Sequence, residues 1–445
     1  MSGSMQRLPR SSVRALWLLG LFAAVACAPD TAVQDGPEVS SPAVASRVAA
    51  FESGFPPVGD SASPSSTVEE RMEHYGVPGL SIAVIDDEEV AWARGYGVRQ
   101  AGASEPVDTE TVFSVGSVSK VGAAAVTLRL VDAGRLDLDH DVNEYLTTWH
   151  VPEHAFDEDV TLRRILSHTA GLTVHGFRDY QPGAELPTTV QILEGAAPSQ
   201  SPPVFVDIPP GRQFRYSGGG VTVEQLVIEE TTGSDFPSAA RDLVFEPLGM
   251  TRSTYENPIP ASFGNIAKAH DQEGTPRALP RGYEAMPEAA ASGLWTTPSD
   301  YAKLVIGFIE SYRGAPEAFL SPELARDMMT EVQPSRFGLG PQLAGDGDAR
   351  RFSHSGANDS YRASMRGHLE TGDGVVILTN GARGGELIEE VLQSVAAAEG
   401  WDEALMIAPE PPPIPEEPTE GVDLSIYEGM YALSLIHISE PTRRH

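Results

Sequence analysis

Three short stretches carry side chains suited to acyl transfer. The first is Ser117-Val118-Ser119-Lys120. On a helix, positions i and i+3 share a face, so this spacing holds a serine hydroxyl within reach of a lysine amine. Serine is a poor nucleophile at neutral pH until a neighbouring base takes its proton. Lysine becomes that base when burial or nearby cations lower its pKa. The second stretch is Tyr216-Ser217-Gly218, after Pro210-Gly211 and Phe214. Small residues in a Gly-rich turn let the phenol approach a site without steric conflict. The third is His354-Ser355-Gly356. Gly356 allows close approach of a substrate to the backbone, and the Ala357 N–H that follows is a candidate oxyanion donor. Taken singly, each stretch reads as easily as a buried tyrosine, a core histidine or a chance Ser-x-x-Lys. The histidines show no His-x-x-x-His spacing with a carboxylate partner, so neither a metal nor another cofactor is expected.

The elements that must position these groups follow from pattern. Ser66-Thr67-Val68-Glu69 reads as a capping box, with Val68, Met72 and Tyr75 at helical spacing behind it. Leu80 to Ile85 and Val90 to Tyr96 read as strands joined by the acidic turn 86–89. A helix is predicted from Ser117 to Ala133, stopped by Gly134. Tyr361 to Leu369 and Val375 to Thr379 flank Thr371-Gly372-Asp373-Gly374 as a hairpin, and Glu386 to Ala398 reads as a helix packed back on it. Strands at both ends of 66–405 and a mostly helical middle predict an α/β (α+β) domain with a helical insertion and a cleft between.

The chain has 445 residues and a formal net charge of -32, spread rather than blocked. Such a surface repels nucleic acid and gains nothing from an anionic membrane. Arg7, Arg10 and Arg14 precede an apolar run at 15–26 and then Ala24-Val25-Ala26-Cys27, which resembles a bacterial lipobox. Residues 1–27 are therefore read as a signal peptide. In one reading Cys27 is lipidated and the mature protein is anchored to a membrane; in the other, Ala26-Cys27-Ala28 serves as an ordinary small-x-small cleavage site and the protein is released. Either way an exported protein is expected. Residues 28–65 read as a flexible tether, 66–405 as the domain that carries the three motifs and 406–421 as a Pro/Glu linker. Residues 422–445 read as a truncated C-terminal segment. Within it, 433–445 resembles an adapter read-through and is set aside from the fold argument.

Together the three motifs resemble those of the serine β-lactamase and penicillin-binding-protein superfamily. The branch is the one with a tyrosine second motif: class C β-lactamases, their esterase relatives and D-amino-acid peptidases. RILSHTAGL at 164–172 is similar to that branch's Leu-Leu-Ser-His-Thr-Ser-Gly-Leu signature. FEPLGM at 245–250, ASGLWTTPSD at 291–300 and VVILTNG at 375–381 match further segments, so the resemblance runs from 66 to about 398.

The resemblance implies a β-lactamase/transpeptidase-like fold, with an antiparallel sheet flanked by helices, a helical subdomain and the active site in the cleft between. It implies that Ser117 is acylated, that Lys120 and Tyr216 share the base role, and that the N–H groups of Ser117 and Ala357 form the oxyanion hole. His354 orients the Tyr216 hydroxyl or the leaving group, and His168 is structural. Gly218 stands where the branch usually has an asparagine that contacts the substrate's acylamino group. His354 stands where β-lactamases have a lysine facing the substrate carboxylate. Both departures point to small-molecule esters, or to D-amino-acid amides and peptides. The rival readings are a β-lactamase or D-Ala-D-Ala carboxypeptidase and, from another class, a non-catalytic relative that binds cell-wall peptides.

Overall fold

The computed structural model describes residues 41–57, 65–181 and 183–401. The leader with Cys27, the linker 406–421 and the segment 422–445 lie outside them. Eight strands occur among the described residues: β1 (Gly79–Asp86), β2 (Glu89–Gly97), β3 (Phe113–Ser114), β4 (Trp295–Thr296), β5 (Gln342–Ala344), β6 (Arg351–Ala357), β7 (Arg362–His368) and β8 (Gly374–Thr379). Six form one sheet in the order β2-β1-β8-β7-β6-β5, antiparallel at every joint, and β3 pairs with β4 apart from it. The α-helices are α1 (Pro42–Ser53), α2 (Val68–Tyr75), α3 (Ser119–Asp132), α4 (Leu162–Leu166), α5 (Thr189–Glu194), α6 (Gly218–Thr232), α7 (Phe236–Ala240), α8 (Ala289–Ser292), α9 (Pro298–Arg313), α10 (Pro322–Met328) and α11 (Gly384–Glu399).

Alternation along β1 sends side chains to opposite faces of the sheet. Leu80, Ile82 and Val84 pack with Phe51 of α1, Val68 of α2 and Val391 of α11. Ala83 and Ile85 face the larger core, which holds Val121 and Leu128 of α3 and Phe308 of α9. The expected α/β sheet domain is present, with the helical stretch inserted between β2 and the late strands. The β1–β2 turn puts Asp87 and Glu88 at φ 50° and 65°, the left-handed geometry of a tight hairpin.

Three local expectations need correction. Part of the expected tether is ordered: Pro42–Ser53 is a helix capped by Ser41, whose hydroxyl accepts from the Val44 N–H. Its alanine-rich composition hides Val44, Val48 and Phe51, which share one helical face and are buried. Phe51 meets Phe55 and Trp92 with ring centroids 5.4 Å away in each case. The capping box is one residue later than expected, Thr67 with Glu70, because Ser66 is extended and bridges to Phe55. Finally, Ser117 precedes the α-helix and lies in a 3₁₀ turn, Gly116–Val118, that feeds α3.

Candidate active site

The 3₁₀ turn that carries Ser117 begins at Gly116, whose φ of +52° suits glycine. Beyond the turn, α3 buries Lys120 almost completely. The Lys120 Nζ lies 3.1 Å from Ser117 Oγ and donates to the Ala291 carbonyl at 2.7 Å. Burial lowers the Lys120 pKa to about 7, opposed in part by the buried Glu224 carboxyl. Glu224 sits inside α6, accepts from Thr127 Oγ1 at 2.6 Å, and is itself pushed up to about 8 by burial. At neutral pH a substantial fraction of the amine therefore has a free lone pair beside the serine hydroxyl.

Tyr216 approaches from the other side, just before α6. The expected Gly-rich turn is the helix's own first turn: Ser217 is the N-cap, and its hydroxyl accepts from the Gly220 N–H at 2.8 Å. The Tyr216 hydroxyl is hydrogen-bonded with Ser117, and burial raises the phenol's pKa. Its ring lies 5.0 Å from Lys120 Nζ and 4.2 Å from the His168 ring. His168 Nδ1 also accepts the Ser217 N–H at 3.3 Å, so this histidine supports the tyrosine. Burial keeps it neutral.

His354 completes the ring of side chains from β6. Its Nδ1 lies 2.7 Å from the Ser355 carbonyl. A carbonyl only accepts, so Nδ1 carries the proton and Nε2 presents a lone pair, buried and without a partner. Burial first, and the Lys120 charge second, lower its pKa to about 4. The imidazole is thus uncharged at neutral pH.

The backbone brings the two expected amides together. In the β6–β7 ladder, Leu369 N donates to Arg350 O and Asn358 N to Tyr361 O, each at 3.1 Å. Alternation puts Ala357, paired with Arg362, at a non-hydrogen-bonded position, so its N–H points away from β7. A Cβ on Gly116 would lie 2.6 Å from Ala357 N, and one on Gly356 would lie 3.0 Å from Ser117 N and 1.9 Å from the Val115 carbonyl. Only glycine at 116 and 356 permits this approach. Asn358 ties the end of β6 down by donating to Ser114 Oγ at 2.7 Å.

Ser117, Lys120, Tyr216, His354, Gly356 and Ala357 thus lie close together in the structure. Gly218 lies beside them, but its Cβ direction runs into Phe177. Sequence reasoning missed the Ala291 carbonyl, Glu224, Asn358 and Phe337, whose ring contacts those of His168, Tyr216 and His354. Only Glu224 left a signal, a lone acid among the apolar residues Val221, Val223, Leu226 and Val227. Elsewhere, Asp179, Glu284 and Asp359 bring carboxylate oxygens within 4.8 Å of one another. Arg277 pairs with Glu284 at 2.6 Å and with Asp359 at 3.2 Å, which supplies a counter-charge.

The arrangement can move a proton from a serine hydroxyl to an amine, with the Ser117 and Ala357 amides close by. Comparison with known proteins bears on the family and the fold. The beta-lactamase family model matches residues 65–398. Penicillin-binding protein 4 of Amycolatopsis lactamdurans is 33% identical over 183 residues, 41% of this chain and 46% of that protein. An unguisins hydrolase of Aspergillus violaceofuscus (strain CBS 115571) is 29% identical over 265 residues, 54% of this chain and 43% of that protein. The matches thus span under half the length of these curated relatives. Among solved structures, D-amino acid amidase from Ochrobactrum anthropi SV3 superposes with a TM-score of 0.62 at 19% identity, covering 79% of this chain and 99% of that one. The octameric penicillin-binding protein homologue from Pyrococcus abyssi gives 0.61 at 23% identity, covering 76% and 77%. At these identities the likeness is one of fold.

Proposed function

The chain belongs to the beta-lactamase family of serine hydrolases, and on that premise we propose that it works through an acyl-enzyme on Ser117, cleaving esters or D-amino-acid amides and peptides. The observation that carries this is the Lys120 amine, 3.1 Å from Ser117 Oγ and with a pKa lowered to about 7.

Neutral Lys120 takes the Ser117 proton as Oγ bonds to the substrate carbonyl carbon. The resulting oxyanion lies against the N–H groups of Ser117 and Ala357. Collapse breaks the bond to the leaving group, which takes a proton relayed from Lys120 through the Tyr216 hydroxyl. A water then attacks the acyl carbon as its proton passes back to Lys120 along the same route; collapse breaks the bond to Ser117 Oγ, which takes that proton from Lys120, and the acid leaves. Between the two candidate bases, the raised phenol and the lowered amine favour Lys120.

Uncharged His354 and side-chain-less Gly218 favour this substrate class over β-lactams, which carry a carboxylate and an acylamino group. The names of similar proteins, a D-amino acid amidase and an unguisins hydrolase, accord with hydrolysis, and the first with amide cleavage. The proposal also places the enzyme outside the cytoplasm, held by a lipid on Cys27.

The test pairs wild type with Ser117→Ala against a fluorophosphonate probe, a p-nitrophenyl ester, a D-amino-acid amide and nitrocefin. Labelling and turnover are expected from wild type alone, with ester or amide cleaved well ahead of nitrocefin. Equal labelling of both proteins would remove Ser117 from the mechanism. Nitrocefin turnover in excess of the others would make the enzyme a β-lactamase.

A further inference from the structure

Three carboxylates from distant parts of the chain meet at the turn that follows Ala357. Asp179 comes from the segment between α4 and α5, Glu284 from the segment before α8, and Asp359 from the turn between β6 and β7. One oxygen from each lies within 4.8 Å of the others. Asp359 N donates to Asp179 Oδ2 at 2.9 Å, which fixes two of the segments against each other. Positive charge is short here. Arg277 spans Glu284 Oε1 at 2.6 Å and Asp359 Oδ2 at 3.2 Å, one guanidinium for three acids. The nearby Arg362 is spent on the Asn358 and Tyr361 carbonyls.

Glu284 gives an independent sign of a missing partner. Its side chain is only 5% exposed, and Oε2, the oxygen not used by Arg277, is buried without a hydrogen-bond partner. With Asp179 it lines a narrow cavity, bounded also by Trp295, Asn358 and Tyr361, that has no room for a water molecule. A buried carboxylate oxygen with no donor is costly, and a bare cation is small enough to satisfy it where water is not.

We propose that Asp179, Glu284 and Asp359 bind one Ca²⁺ ion, which cross-links the three segments behind the turn after Ala357. Ca²⁺ holds oxygens at about 2.3–2.6 Å, so two of its ligands lie at most about 5.2 Å apart, and three oxygens within 4.8 Å of one another fit a single shell. Mg²⁺ keeps several of its waters, which this cavity cannot take. Asp359 is exposed, so solvent completes the Ca²⁺ shell from that side alone. The ion is structural, touches no reacting atom, and does not depend on the acyl-enzyme reading. Histidine spacing is silent on such a set, whose members stand 105 and 75 residues apart (179 to 284, 284 to 359).

The test strips the full chain with EDTA and adds Tb³⁺, a luminescent stand-in for Ca²⁺, with excitation of tryptophan. Trp295 lines the same cavity, so bound Tb³⁺ is expected to emit, and added Ca²⁺ to quench that emission by displacement. Ca²⁺ at about 100-fold excess over its Kd is expected to raise Tm by about 4 °C, and Mg²⁺ to do less. Asp179→Asn and Asp359→Asn should each abolish both responses. Glu246→Gln, which removes an exposed acid elsewhere, should keep them. No Tm response of wild type to Ca²⁺, a larger response to Mg²⁺, or responses that persist in the Asn variants would each overturn the site. Asp359→Asn decides if Asp179→Asn does not fold, because position 359 is on the surface and its backbone donor to Asp179 is kept.

Discussion

Lys120 is the side chain whose ionisation sets the chemistry, and its surroundings make the sign plain. The amine can accept the Ser117 proton only when it is itself deprotonated. With a pKa of about 7, about a tenth of it is neutral at pH 6 and about nine tenths at pH 8. The kcat/KM profile is therefore expected to rise with pH through about 7, with unit slope on the acid side. Lys120→Met should remove that limb and cost about 10² to 10⁴ in rate, the usual worth of a positioned base. Glu224 opposes burial only while it is ionised, and with its own pKa pushed up to about 8 it is mostly protonated along this limb, so Glu224→Gln should move the limb little, and only to lower pH. A profile flat from pH 5 to 9, or a limb that Glu224→Gln shifts upward, would contradict this assignment. Much of this scale was legible in the sequence, because Ser-x-x-Lys, the tyrosine motif and His354-Ser355-Gly356 each name a group by type. The choice between Lys120 and Tyr216 was not. It depends on what buries each group, and the Ala291 carbonyl that anchors the amine is 171 residues away along the chain.

At the scale of elements, the site exists because the turn before α3 and the end of β6 touch backbone to backbone. Gly356 is the point of contact: a methyl there would lie 1.9 Å from the Val115 carbonyl, a backbone atom that cannot swing aside. Gly356→Ala should therefore part the Ser117 and Ala357 amides and lower kcat about 10²- to 10³-fold, as loss of an oxyanion donor does. Gly385→Ala, where a Cβ meets nothing within 4 Å, serves as the control and should leave kcat as it is. Steady-state kinetics on the two variants decides the matter, and equal effects would refute the contact argument. Strands β1, β2, β7 and β8 and helix α11 were readable from their own periodicity and turn residues. Helix α1 was not, because nine of its twelve residues are small, polar or charged. Its stability comes from tertiary contact: Phe51 against Trp92, and Arg47 paired with Asp86 at 2.7 Å and Glu399 at 2.5 Å. The start of α6 was misread for a related reason. Three successive glycines signal a turn, yet here they make room for residues 173–177, contributed from another part of the chain.

Over the whole molecule, the net charge of -32 restricts how the protein can be held at a membrane. Phosphatidylserine-type surfaces are anionic, so the surface field of this chain opposes adsorption rather than aiding it. No helix among the described residues is long and apolar enough to span a bilayer. The proposed attachment is a lipid on Cys27, and acyl chains bind through buried methylene groups at about 0.8 kcal/mol each, a contribution indifferent to salt. Two attachments can then be told apart. Electrostatic adsorption weakens as salt shortens the Debye length to about 3 Å near 1 M, whereas an acyl anchor does not. Membranes from cells making the full chain are expected to keep the wild-type protein through a wash in about 1 M salt. Cys27→Ser should move it to the soluble or secreted fraction with its specific ester activity intact, since the anchor and the Ser117 site share no residue. Release of wild type by salt alone, or retention of Cys27→Ser, would show that something other than an acylated Cys27 holds the enzyme in place.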